Sequence, residues 1–257
     1  MTDRYAKFRE LDVQRDGDVV TVRICHPGNG EEHTEFSRLF CEIRSDDVKV
    51  VVLTGEGDTF MPLADMRWYA SVGEGDWLRL MREAKWLLRD MVELPQPIVV
   101  GLNGAAVGLG ASIASFGDII VAAEGATFGD SHLAMDLVAG DGGCLTLPLS
   151  IGVHRAKSFY LLGQTLSAQE LFDAGLVTKV VPRDQLDNAV AAVVDRLLEM
   201  PREALQWSKM ALNRLNQLSV LLGAEASLGH EGWSWHLAQA QRKHDAIRFA
   251  ASCQSDR

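Results

Sequence analysis

The sequence predicts an α/β protein with a largely parallel sheet, and three features predict it. Two continuous apolar runs, Lys49-Val50-Val51-Val52-Leu53-Thr54 and Ile98-Val99-Val100-Gly101-Leu102, read as strands buried on both faces. Between them Trp77, Met81, Ala84, Leu88 and Met91 fall along one side of a long helix, roughly residues 76–93. From Asp184 onward nearly every segment has helical spacing, which makes the C-terminal part an added helical layer.

Taken in order, residues 11–14 and 19–25 flank Arg15-Asp16-Gly17-Asp18, an Asp-Gly hairpin signal, and this first part reads as a β-meander. Phe36, Leu39, Phe40 and Ile43 then repeat at helical spacing. The buried run at 49–54 is followed by an irregular loop, 55–64. Leu94-Pro95-Gln96-Pro97 ends the long helix, because proline cannot continue one. Residues 118–123 are a third buried strand. Ser167-Ala168-Gln169-Glu170 is a capping box that starts a helix, and Gly175 stops it. A short strand, 176–181, is closed by Pro182, and Met200-Pro201 breaks the helices that follow. No internal repeat or low-complexity segment is found. Residues 1–195 are expected to form the core domain and 196–257 a helical region that serves oligomerisation.

Composition narrows the function. Of 257 residues, 47% are hydrophobic and 23% charged, the balance of a chain with a real core, so disorder is expected only at 1–7 and 252–257. The net charge of −10 repels a phosphate backbone, which argues against nucleic acid as a partner. Cys25, Cys41, Cys144 and Cys253 are scattered, with no CxxC and no zinc spacing, so no metal site is expected and the cysteines read as reduced. The N-terminus MTDRYAKFRE lacks the apolar region of a signal peptide, and no stretch approaches about 20 apolar residues. A cytoplasmic protein without a membrane span is expected.

Chemistry concentrates at Asn103-Gly104-Ala105-Ala106-Val107-Gly108-Leu109-Gly110-Ala111-Ser112, which follows a strand and opens a helix. Small residues admit a ligand close to the backbone, and a helix start offers free N–H groups that can hold a developing oxyanion. A tight turn that needs glycine only for packing reads equally well. The segment is not GxGxxG, and it arrives after residue 100 rather than after the first strand, which argues against a dinucleotide fold.

Asn103 to Gly110 resembles the second oxyanion-hole motif of the crotonase (enoyl-CoA hydratase/isomerase) superfamily. Four further segments agree in order and spacing: Val50 to Gly55, Phe60 to Met66, Ala126-Thr127-Phe128-Gly129, and Thr165 to Val177. The resemblance spans about residues 10–250. It implies the spiral β-β-α crotonase (ClpP-like) fold, a small-molecule substrate, and a homotrimer or dimer of trimers. It implies no cofactor, except coenzyme A as part of a thioester substrate. It also implies two backbone N–H donors, Ala64 and Leu109, with Asp65, Gly108 and Gly110 shaping the substrate site. The first motif departs from the family's Phe-Ser-Ala-Gly-Ala-Asp-Leu: Phe60-Met61-Pro62-Leu63-Ala64-Asp65-Met66 loses the glycine and gains Pro62. This puts the first donor and coenzyme A binding in question.

The resemblance also locates side chains. Hydratases of this family carry one catalytic glutamate where this chain has Ser112 and a second where it has His132. Adding water to an alkene needs an acid and a base around one water, and Ser112 cannot supply a carboxylate, so hydration is disfavoured. His132 and Asp141, nine residues apart, are similar to the His–Asp pair of the 6-oxocamphor hydrolase (β-diketone hydrolase) branch. There the aspartate orients the histidine, the histidine activates water, and a retro-Claisen cleavage leaves an enolate. His33, allowing one gap, and Glu231 stand where that branch has an active-site histidine and glutamate, though either reads equally as structural. That branch replaces the Gly-rich turn by a histidine donor, whereas Val107-Gly108-Leu109-Gly110 keeps it, which favours a thioester or another carbonyl held by amides.

The expected enzyme is therefore a C–C bond hydrolase. The alternative is an acyl-CoA isomerase, lyase or thioester hydrolase with Asp141 as base or nucleophile. A non-catalytic homologue is a third reading, to which the altered first motif points. His26, His154, His236 and His244 have no partner that spacing identifies, and Trp233 and Trp235 read as packing residues.

Overall fold

The Asp-Gly signal makes a tight hairpin in which β1 (Leu11–Asp16) and β2 (Val19–Ile24) pair antiparallel, with Asp16 opposite Val19. The expected meander ends there. Helix α1 (Gly30–Arg44) crosses over, and β3 (Val50–Gly55) returns parallel to β2 with Val20 opposite Val51. Strand β3 is buried along its whole length except Thr54, so both of its faces need cover. Phe36, Leu39, Phe40 and Ile43 of α1, all fully buried, join its strand residues in one core. The computed structural model describes residues 4–25, 30–61 and 63–255, with side chains described as far as 242.

A short helix, α2 (Met66–Ser71), precedes the long α3 (Glu74–Val92). Strands β5 (Ile98–Leu102), β7 (Ile119–Ala123) and β10 (Lys179–Val181) complete a six-stranded sheet in the order β1-β2-β3-β5-β7-β10, parallel beyond the first pair.

A second sheet escaped the sequence reading. The loop expected at 55–64 contains β4 (Thr59–Met61), which forms a sheet with β6 (Ala105–Val107), β8 (Thr127–Gly129) and β9 (Thr165–Ser167) in the order β4-β6-β8-β9. Three times the chain runs along the large sheet, turns a corner and adds a strand to the small one: β3–β4, β5–β6 and β7–β8. Strands of three residues are too short to display a period-two pattern, and each corner is built from different residues, so no repeat is visible in the sequence.

Helix α4 (Leu109–Ser115) leads away from β6, and α5 (Gly143–Ile151) and α6 (Val153–Leu162) follow β8. The capping box at Ser167 starts α7 (Ala168–Asp173). Helices α8 (Leu186–Leu198), α9 (Arg202–Leu212) and α10 (Arg214–Ser255) end the chain, with the break at 200–201. Lys209 of α9 is buried against the sheet, its Nζ 2.6 Å from Asp118 Oδ2 and donating to Gln96 O at 2.9 Å. Helix α10 returns over its own chain: Val220, Ala224 and Leu228 pack on Ala84, Leu88 and Val92 of α3. The C-terminal region therefore builds the core domain's own wall as well as presenting an outer face. Among the described residues no helix is long and apolar enough to cross a membrane.

Candidate active site

The site lies where the two sheets meet. Asn103, buried at the β5–β6 corner, accepts from Gly55 N (3.0 Å) and donates to the carbonyls of Gly55 (3.1 Å), Gly57 (2.9 Å) and Thr59 (3.0 Å). One side chain thus ties the β3–β4 corner to the next one. Gly110 completes the approach: a Cβ there would stand 2.6 Å from Met61 Cβ and 2.7 Å from Met61 O. Only glycine lets the start of α4 come this close to β4.

That contact brings Ala64 and Leu109 onto one cavity, with about 820 Å³ of empty space including its mouth. Leu109 is the first residue of α4, so its N–H has no helical acceptor. Gly108 before it has φ +58°, and a Cβ there would meet Ser131 Oγ at 3.2 Å and His132 Cε1 at 4.0 Å. The turn therefore packs tightly, and Gly108 and Leu109 both line the cavity.

Most of the cavity wall is apolar, including Trp68, Tyr69, Trp77, Met81 and Leu137. Trp77 stacks on Trp235 of α10, ring centroids 5.1 Å apart and 7° from parallel. The polar lining includes Glu32, His33, Ser131, His132, Asp141 and Glu231. No lysine or arginine is among the described lining residues.

His132 follows β8 and is 6% exposed. Its Nδ1 is 2.8 Å from Asp130 Oδ2, while Asp130 Oδ1 accepts from the His132 backbone N–H at 3.1 Å. On the other side Nε2 lies 3.6 Å from Asp141 Oδ2 and 3.9 Å from Glu231 Oε1. The structure adds a second acid to the expected pair. Asp130 Oδ2 is the carboxylate within hydrogen-bond distance of the ring, at Nδ1, and Asp141 faces the opposite nitrogen at ion-pair distance. Asp141 is itself held by Ser112, whose Oγ donates to Oδ1 at 2.6 Å. The residue standing in place of a hydratase glutamate is thus a hydrogen-bond donor to the neighbouring acid.

Burial disfavours a charged imidazole, but the negative charges of Asp141, Asp130 and Glu231 outweigh it and push His132 up to about 10. Glu231, carried on α10, is pushed up to about 8, chiefly by burial, against the pull of His132. Its Oε2 and Asp141 Oδ2 are buried without a hydrogen-bond partner. Burial also raises the Cys144 thiol to about 11, which removes it as a nucleophile near neutrality.

Other expected residues are spread differently. His33 lines the cavity, its Nδ1 3.6 Å from Glu83 Oε2, and Glu83 accepts from Thr34 and Arg79 behind it. Asp65 does not line the cavity; its exposed carboxylate caps α2 by accepting from Arg67 N at 2.7 Å. Gly110 is covered by Met61 and acts from behind, whereas Gly108 lines the site. Pro62 and His26 lie outside the described residues, as does the side chain of His244. His154 and His236 are exposed, Trp235 packs, and Trp233 is exposed. Among the described residues no group of His, Cys, Asp or Glu is arranged to hold a metal ion.

Sequence reasoning missed Asp130 and the aromatic wall. Asp130 had a legible sign: an aspartate two residues before a histidine is the spacing of an Asx turn, which its bond to His132 N forms. The wall had none, because Tyr69, Trp77 and Trp235 come from three helices that only tertiary packing brings together.

Two sheets joined by repeated corners, a long C-terminal helix and a backbone cradle define an α/β crotonase-fold enzyme. The pattern of the enoyl-CoA hydratase/isomerase family matches residues 29–243, and the chain belongs to that family. Among its relatives is a probable mitochondrial enoyl-CoA hydratase of Dictyostelium discoideum, 30% identical over 192 residues, or 74% of this chain and 69% of that protein. An enoyl-CoA hydratase/isomerase from Mycobacterium paratuberculosis superposes with a TM-score of 0.85 at 30% identity, covering 90% of this chain and 95% of its own. A β-diketone hydrolase from the cyanobacterium Anabaena sp. PCC 7120, bound to (S)-3-oxocyclohexyl acetic acid, superposes with a TM-score of 0.87 at 28% identity, covering 94% and 99%.

Proposed function

We propose that this crotonase-family enzyme is a C–C bond hydrolase that opens a cyclic β-diketone by retro-Claisen cleavage. Water activated by the His132–Asp141 pair adds to one carbonyl. The bond to the central carbon then breaks, and the enolate oxygen formed from the second carbonyl is held by the N–H groups of Ala64 and Leu109. One observation carries this reading: a buried histidine among carboxylates faces an apolar cavity where hydratases of the family hold a glutamate, and Ser112 occupies the other glutamate position. The likeness to the Anabaena β-diketone hydrolase over nearly the whole chain supports it. So does the lack of lysine or arginine among the described lining residues, because the diphosphate of coenzyme A calls for cations while a small diketone does not.

The second reading is an acyl-CoA enzyme, with Asp141 as base or nucleophile. It is favoured by the retained turn Val107-Gly108-Leu109-Gly110 and by relatives whose names are mostly those of enoyl-CoA hydratases. Incubation with cyclic β-diketones, followed by chromatography for keto acids, decides between them. Ring opening without a calorimetric signal for coenzyme A is expected. Turnover of an acyl-CoA under conditions where no diketone ring opens rejects the hydrolase.

The same family reading carries a homotrimer or dimer of trimers. Trp207, Leu212, Leu215, Leu221 and Leu222 of α9 and α10, at least 67% exposed, are the surface such an assembly would cover. Sedimentation showing a monomer at micromolar concentration counts against it.

A further inference from the structure

We propose that His132 stays doubly protonated throughout the reaction, donating to the attacked carbonyl, and that Asp141 is the base that takes the proton from water. The substrate in this assignment rests on the β-diketone reading; the proton positions rest on the geometry.

Both ring nitrogens face acceptors. Asp130 Oδ2 is 2.8 Å from Nδ1, and Asp141 Oδ2 and Glu231 Oε1 are 3.6 and 3.9 Å from Nε2. A carboxylate oxygen without a proton only accepts, so a bare Nδ1 would set its lone pair against Asp130 and a bare Nε2 against Asp141, the nearer of its two acids; Glu231, pushed up to about 8 by burial, is the acid of the cluster that holds a proton near neutrality. The facing groups come from every direction. Asp130 lies on the segment of His132 itself, Asp141 just before α5, and Glu231 on α10. Cys144 of α5 and Tyr160 of α6 stand nearby, both kept neutral chiefly by burial. His33 and Glu32 line the same cavity, and no lysine or arginine among the described lining residues offsets the acids. The rise of His132 to about 10 agrees with this count of charges.

Asp141 is the remaining base. It lines the cavity; its Oδ1 is occupied by Ser112 at 2.6 Å, while its Oδ2 is buried and has no hydrogen-bond partner. The steps balance. Water gives a proton to Asp141 Oδ2 as its oxygen bonds to the carbonyl carbon, and the displaced π pair becomes an oxyanion facing His132 Nε2–H. Collapse re-forms that C=O and breaks the bond to the central carbon, whose electron pair becomes the enolate. The protonated Asp141 then delivers its proton to that carbon, so water has been added across one C–C bond and His132 has kept both protons.

Nitrogen-15 NMR of the full chain labelled at histidine tests this, with His132→Gln used to identify the ring's signals. Both nitrogens are expected to be protonated at pH 7, and Asp130→Asn to lower the ring's titration midpoint by at least about one pH unit, as loss of a hydrogen-bonded charge requires. With a cyclic β-diketone, Asp141→Asn should cut kcat by roughly 10²–10⁴-fold. His132→Gln, which keeps an N–H donor, should lose less. A bare ring nitrogen at pH 7, or a kcat that climbs with pH in step with ring deprotonation, overturns the assignment even if diketones are opened. A doubly protonated ring in a protein that opens no diketone leaves the ring assignment standing and removes the β-diketone reading.

Discussion

Replacing Asn103 by alanine tests the idea that one buried amide builds the corner on which the site depends. The side chain makes four contacts: it accepts from Gly55 N and donates to the carbonyls of Gly55, Gly57 and Thr59, at 2.9–3.1 Å. Its two N–H hydrogens serve three carbonyls, so one contact is shared and the set counts as about three bonds. Each net bond contributes about 0.5–1.5 kcal/mol, and the groups left behind are buried at Gly55, half-buried at Thr59 and exposed at Gly57, so a loss of about 2–4 kcal/mol is expected. For a chain of this size that corresponds to a fall in Tm of roughly 4–16 °C. Function should suffer more than stability, because the freed segment carries β4 and, through it, the Ala64 amide. Chemical denaturation of wild type and Asn103→Ala measures the first effect, and kcat measured well below Tm the second. Arg183 also donates to Gly57 O, at 2.8 Å, but Gly55 and Thr59 lose their side-chain partner, so a stability change under about 1 kcal/mol with unchanged kcat would refute the reasoning.

Further expectations concern buried charge and the acid cluster. Lys209→Ala removes the buried cation 2.6 Å from Asp118, but Asp118 reaches solvent and keeps the Ile98 N–H at 2.7 Å, so urea denaturation should show a loss of about 1.5–3 kcal/mol; no measurable loss would contradict this account of α9. Both His132 and Glu231 have raised folded-state pKa values, about 10 against 6.5 and about 8 against 4.5. The folded protein therefore binds protons that the unfolded chain releases, so stability should fall as pH rises, through 4.5–8 for Glu231 and 6.5–10 for His132. A Tm that rises from pH 6 to pH 9 is the contrary result, and Glu231→Gln should flatten the lower part of the decline. Ser112→Ala strips Asp141 Oδ1 of its donor and should lower kcat about tenfold with KM little changed, as losing a hydrogen bond to a charged group implies; an unchanged kcat means that Ser112 does not hold the acid in place. Ser112→Glu should not create a hydratase. Ser112 Oγ already sits 2.6 Å from where a Cβ on Gly143 would be, so the longer acid is overpacked and stands against Asp141, and melting should show a loss of about 1–3 kcal/mol.

How far the sequence reaches can be followed element by element. Strands β3 and β5 and helix α3 were legible because each is long enough, or apolar enough, to carry its own period, and the capping box at Ser167 because it is a local hydrogen-bond pair. The four strands of the small sheet were not, since a three-residue strand exists only through its neighbours. The meander expected at the N-terminus failed for a related reason: Asp16-Gly17 dictates a hairpin, but whether the next strand lies parallel or antiparallel depends on where α1 finds a surface to cover.

The site divides the same way. From the sequence alone came the backbone turn at Gly108, the replacement of two acids by Ser112 and His132, and the presence of Asp141 and Glu231, because each is a matter of residue type at a position. Only the tertiary structure decided which acid meets which nitrogen of His132. Asp130 reaches Nδ1 through a turn of two residues, while Asp141 and Glu231 reach the far side from a loop and from a helix about 100 residues on. Spacing along a chain does not determine distance across a core, and a proton's position depends on distances of a few tenths of an ångström.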